Sequence, residues 1–82
     1  MIEINPHAFR RAVERGATEV EILSIVESGE RFPAKFGRVG FRRSFRFDDI
    51  WRGRRYDTKQ IEAYAVEENG RWIVIRVVTK YF

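Results

Sequence analysis

The sequence predicts an α+β fold: an N-terminal helical hairpin followed by a four-stranded, mostly antiparallel β-sheet. Three observations carry this. Up to Gly29, apolar residues recur at helical spacing between capping residues. Beyond Gly29 the period changes to two. Asn69-Gly70, between two alternating runs, is the strongest short signal of a tight hairpin. With 82 residues there is one domain, divided into a hairpin over 1–29 and a sheet over 30–82.

The first helix spans 5–15, with Asn5 as N-cap, Pro6 at the first helical position and Gly16 at the end. Ala8, Phe9, Ala12 and Val13 supply its apolar stripe. Thr18 opens the second helix, and Glu21, three residues on, completes a capping box. Val20, Ile22, Leu23, Ile25 and Val26 form its buried side, and Gly29 closes it.

Residues 31–36 read as a short strand that Pro33 confines to a sheet edge. Residues 37–40 form a turn. In 41–47, Phe41, Phe45 and Phe47 share one face, and Arg42, Ser44 and Arg46 the other; parity puts Arg43 among the phenylalanines. Residues 48–53 read as a loop and 54–68 as a strand with a kink near Asp57. In the last strand, Ile73, Ile75, Val77, Thr79 and Tyr81 alternate with Trp72, Val74, Arg76, Val78 and Lys80. Both sets are largely apolar, so a central strand is expected.

Cysteine is absent and His7 is the only histidine, which excludes disulfides, thiolate chemistry and an all-histidine metal site within one chain. No metal and no cofactor are expected. No apolar run approaches the roughly 20 residues of a membrane span. The N-terminus lacks a basic start followed by an apolar segment, so a cytoplasmic protein is expected. The net charge of +4 is unevenly spread. Residues 31–60 hold ten Lys or Arg against three Asp, and the rest of the chain is net acidic. That pattern suits an anionic partner. Thirteen of the sixteen cations are arginine, the side chain that forks onto phosphate and stacks on bases.

Three groups of residues have the chemistry for a site. His7, Arg11 and Arg15 share one broad helix face, at spacing i, i+4, i+8. Histidine is the residue type suited to proton transfer near neutral pH, and two guanidiniums can hold a phosphate. The same three also suit a solvated surface, with the arginines paired to glutamates. Arg38, Arg42, Arg46, Arg52, Arg54 and Arg55 lie among Phe41, Phe45, Phe47, Trp51 and Tyr56, an arrangement that fits single-stranded RNA or the guarded face of an edge strand. Last, Arg43 faces inward and needs a partner or a cleft. Thr79, Tyr81 and Lys59 have the chemistry to reach that cleft, or to serve packing alone.

The pattern His7, Arg11, Arg15-Gly16 before a second helix, followed by basic strands and the ending "WIVIRVVTKYF", resembles a family of small bacterial and phage domains of unknown function. That family is similar to the barnase, EndoU, colicin and RelE-like nucleases, which include metal-independent ribonucleases and toxins of toxin–antitoxin pairs. The resemblance implies His7 and Arg11 in a cleft, with Arg43, Lys59, Thr79 or Tyr81 contributed from the sheet. The expected function is a metal-independent, toxin-like ribonuclease cutting single-stranded RNA by 2′-hydroxyl attack. The alternatives are a basic RNA-binding module, or an interaction domain for an acidic, antitoxin-like protein.

Overall fold

The computed structural model describes residues 1–82. It contains two helices and five strands: β1 (Ile2–Ile4), α1 (Pro6–Glu14), α2 (Glu19–Ser28), β2 (Glu30–Pro33), β3 (Val39–Trp51), β4 (Arg54–Glu68) and β5 (Arg71–Tyr81). The strands form one mixed sheet in the order β1-β5-β4-β3-β2. The class is α+β as expected, but the expected four-stranded sheet gains a fifth strand. β1, at the N-terminus, runs parallel to β5 with Ile2 opposite Trp72. Three residues before a helix cap are too few for alternation to register, so the sequence pattern passes over them.

Both helices are where their caps predict. Asn5 Oδ1 accepts from the N–H groups of His7 and Ala8, at 2.9 and 3.2 Å. Thr18 and Glu21 exchange the two hydrogen bonds of the capping box. Both helices pack on one face of the sheet. The core there joins Ala12, Ala17, Ile22, Ile25 and Val26 to Phe41, Ile61, Ala63, Ala65, Val74 and Val77.

Four strand expectations need correction. β3 does not end before 48–53; it continues to Trp51, pairing Asp49 with Tyr56 and Trp51 with Arg54. Only Arg52 and Gly53 turn, with φ of 51° and 81°, the geometry that Asn69 and Gly70 adopt at the other end of β4. Arginine at the first turn position hid this second tight hairpin. The kink expected near Asp57 is a bulge on the facing strand, where Asp48 has a φ of 47°. The turn expected at 37–40 lies earlier, because Val39 and Gly40 already pair with β4.

The fourth correction concerns parity. Ala65 faces Val74 while Tyr64 faces Arg76, so β5 carries one extra residue at Ile75. Trp72 and Val74 therefore share the helix side with Val77, Thr79 and Tyr81, where strict alternation separates them. Arg42, Ser44, Arg46, Gln60, Glu62, Tyr64, Arg76, Val78 and Lys80 occupy the opposite, open face.

Candidate functional site

Four arginines without an ion-pair partner gather where α1 runs beside β5. Met1 C=O accepts from Trp72 N–H at 3.0 Å, and Asn5 N–H donates to Val74 C=O at 2.9 Å. Pro6 then turns the chain into α1, and β1 ends. Beyond Val74 that edge of β5 has no strand partner. Thr58 and Phe82 exchange both backbone hydrogen bonds, so alternation along the ladder points the main-chain groups of Thr79 and Val77 out towards α1. Buried Ala8 and Ala12 let the helix lie close to the strand.

A cleft of about 480 Å³ results. His7, Arg11 and Arg15 line it from α1, Thr79 from β5, and Arg38 and Arg76 from the open face. No carboxylate lines it. The five ion pairs of the protein use Arg42, Arg55, Lys59, Arg71 and Lys80, and none of the four cleft arginines. The glutamate pairing open to Arg11 and Arg15 from sequence is therefore not made. Four guanidiniums around one cavity repel one another, and an anion there relieves that repulsion. The Thr79 hydroxyl, closed off from solvent, has no hydrogen-bond partner.

Three residues expected in the cleft from the sheet are elsewhere. Arg43 does face the helices, as its parity predicts, but it ends α2: Nη2 donates to the Ser28 carbonyl at 3.1 Å and to Ser28 Oγ at 2.6 Å. Lys59 Nζ donates to the Gly16 carbonyl at 3.0 Å and pairs with Glu21 at 2.9 Å. Tyr81 Oη donates to the Arg15 carbonyl at 2.8 Å. Each satisfies a main-chain oxygen at or just past the C-terminal end of a helix, and the two cations also complement the helix dipole. Sequence parity finds the face of these residues; it does not reveal that helix ends consume them.

The arginine strip also divides. Arg38 reaches the cleft. Arg42 pairs with Glu30 at 2.5 Å and covers the Phe32 ring. Arg46 lies beside Asp48 and Asp57 at the bulge. At the hairpin tip, Arg52 stacks on Trp51 and reaches the Glu14 carbonyl, Arg54 covers Tyr56, and Arg55 pairs with Asp48. Phe41 is core, and Phe47 contacts Tyr81. The strip is not one continuous surface. The residue that sequence reasoning passes over is Arg76; its signal is a lone cation inside the apolar run "WIVIRVV".

No group of three His, Cys, Asp or Glu side chains is placed to hold a metal ion. No helix is long and apolar enough to cross a membrane. Comparison with protein families, curated proteins and solved structures finds no match to this chain.

Proposed function

We propose that the protein binds single-stranded RNA with a phosphodiester in the α1–β5 cleft, and cleaves it there without a metal ion. The observation that carries this reading is the gathering of His7 with Arg11, Arg15, Arg38 and Arg76 in a cavity lined by no carboxylate. In the reaction the 2′-oxygen forms a bond to phosphorus and the bond from phosphorus to the 5′-oxygen breaks. His7 takes the 2′ proton, solvent supplies a proton to the departing 5′-oxygen, and a 2′,3′-cyclic phosphate remains. The guanidiniums offset the extra negative charge on phosphorus in the transition state.

The test is incubation of a mixed RNA pool with wild type and His7→Ala in EDTA, with mapping of the product ends. Cuts by wild type that His7→Ala no longer makes are expected. His7 is exposed, so the substitution should leave the fold unchanged, as circular dichroism would verify. Unaltered cleavage by His7→Ala would remove its role.

A second reading, RNA binding without cleavage, is favoured by one observation: His7 is the only side chain in the cleft suited to proton transfer near neutral pH, with Tyr81 and Lys59 engaged at a helix end. Binding that weakens with salt, without cuts, is its signature.

A further inference from the structure

Arg38 and Arg76 line a second cavity as well as the cleft. On the open face of the sheet, a depression of about 310 Å³ is walled by Phe32, Tyr64 and Phe36, with Lys35, Arg38 and Arg76 around it. The two arginines are common to both cavities, so the depression continues the cleft around the edge of β5.

Its floor is one row across the sheet. Phe32 is opposite Gly40, Gly40 opposite Tyr64, and Tyr64 opposite Arg76. A Cβ on Gly40 would collide with the Phe32 ring, so the glycine is what lets this ring lie down on the strand. Phe32 and Tyr64 meet edge to face, with centroids 5.9 Å apart. The Tyr64 hydroxyl donates to Glu62 at 2.9 Å, which fixes the direction of its ring.

Phe36 is the informative residue. It is 84% exposed and has a φ of 63°. A left-handed backbone costs a residue with a side chain about 1 kcal/mol or more, and glycine or asparagine is the usual occupant. Phenylalanine there gains little burial in return, and the Arg38 guanidinium lies 5.7 Å from its ring centroid. The ring is left open to solvent, where a flat ligand could cover it.

We propose that this depression is a nucleobase subsite: one unpaired base stacks on the exposed ring of Phe36, beside the row of Phe32 and Tyr64, while Arg38 and Arg76 hold the phosphate that leads into the cleft. The proposal rests on the RNA reading above and adds to it the part of the substrate that the cleft does not reach. The base is held through its π face, which every base presents, and the cations bordering the rings strengthen the stack.

The experiment compares two short single-stranded oligonucleotides of equal length, with 2′-fluoro groups so that they cannot be cut. One carries all its bases and the other a run of abasic residues. Affinities are measured by fluorescence anisotropy for wild type and for Phe36→Gly, a substitution that suits the backbone at that position and leaves folding intact. Wild type is expected to prefer the base-bearing strand by about ten-fold or more, within the range one stacked base supplies. Phe36→Gly should lose most of that preference while binding the abasic strand as wild type does. Equal binding of both strands by wild type would overturn the subsite and leave the phosphate cleft standing. A base preference that survives Phe36→Gly would overturn its assignment to this depression. Binding of neither strand would remove the RNA reading and the subsite together.

Discussion

The Tyr81 hydroxyl donates to the main-chain carbonyl of Arg15 across 2.8 Å, so the last residues of β5 hold the end of α1. Gly16 makes this contact possible. Its φ is 91°, and a Cβ there would collide with the same hydroxyl. The helix that carries His7, Arg11 and Arg15 is thus fixed at its far end by the strand that forms the opposite wall of the cleft.

Replacement of Tyr81 by Phe should cost about 1 kcal/mol of stability, the usual net value of one hydrogen bond. It should also change the alkaline limit. Burial first, then the Glu21 carboxylate, push the Tyr81 hydroxyl above the ordinary tyrosine value, with Arg52 opposing. Burial and the hydrogen bond to Glu62 push Tyr64 the same way. The folded protein therefore keeps protons that the unfolded chain releases above about pH 10, and stability falls as pH rises through the raised folded values. Urea midpoints followed into the alkaline range should show this slope, and Tyr81→Phe should flatten it. An unchanged slope would exclude Tyr81 as a source.

Lys59→Met should destabilise by about 1–3 kcal/mol, because Lys59 is nearly buried and serves both Glu21 and the Gly16 carbonyl. Any cleavage, assayed well below the unfolding transition, should be retained, since Lys59 does not line the cleft. Lost cleavage with unchanged stability would return Lys59 to the chemistry.

Thr79→Val should act in the opposite sense. It replaces a sealed, unpartnered hydroxyl by a methyl of similar size, and should raise stability by about 1 kcal/mol. If the hydroxyl serves the ligand, RNA affinity falls in the same variant, a trade of stability against function. Denaturation and anisotropy on one preparation read both. A loss of stability would show that the hydroxyl has a partner in solution.

Local chemistry was legible in the sequence and long-range placement was not. The caps Asn5 and Thr18, the Asn69-Gly70 turn and the inward set Phe41, Arg43 and Phe45 each depend on a few neighbouring residues, and each is read correctly. The set His7, Arg11 and Arg15 follows from helix periodicity alone. What faces it does not. The extra residue at Ile75 shifts the frame of β5 without altering the apolar character of the run, so counting by twos cannot detect it. Arg43, Lys59 and Tyr81 look like free polar groups until two helix ends are laid against them. Arg38 and Arg76, far apart in the chain, meet only through the sheet order.

That order has a consequence for how the site comes into being. Two tight hairpins join β3, β4 and β5 into a meander of near neighbours, whereas β1 must find β5 by closing a loop from residue 2 to residue 72. The entropy of that closure makes the N-terminal seam the most expensive pairing in the molecule, and only three residues share it. His7 stands a few residues past the seam. The meander is therefore expected to form first and open last, with α1 docking late, so that the cleft arises and is lost separately from the body of the sheet. Amide exchange at Asn5 and Trp72, whose N–H groups cross the seam, should run faster than exchange at Val78 if the cleft breathes in this way. Equal protection would make the whole fold a single cooperative unit, in which no part of the cleft opens on its own.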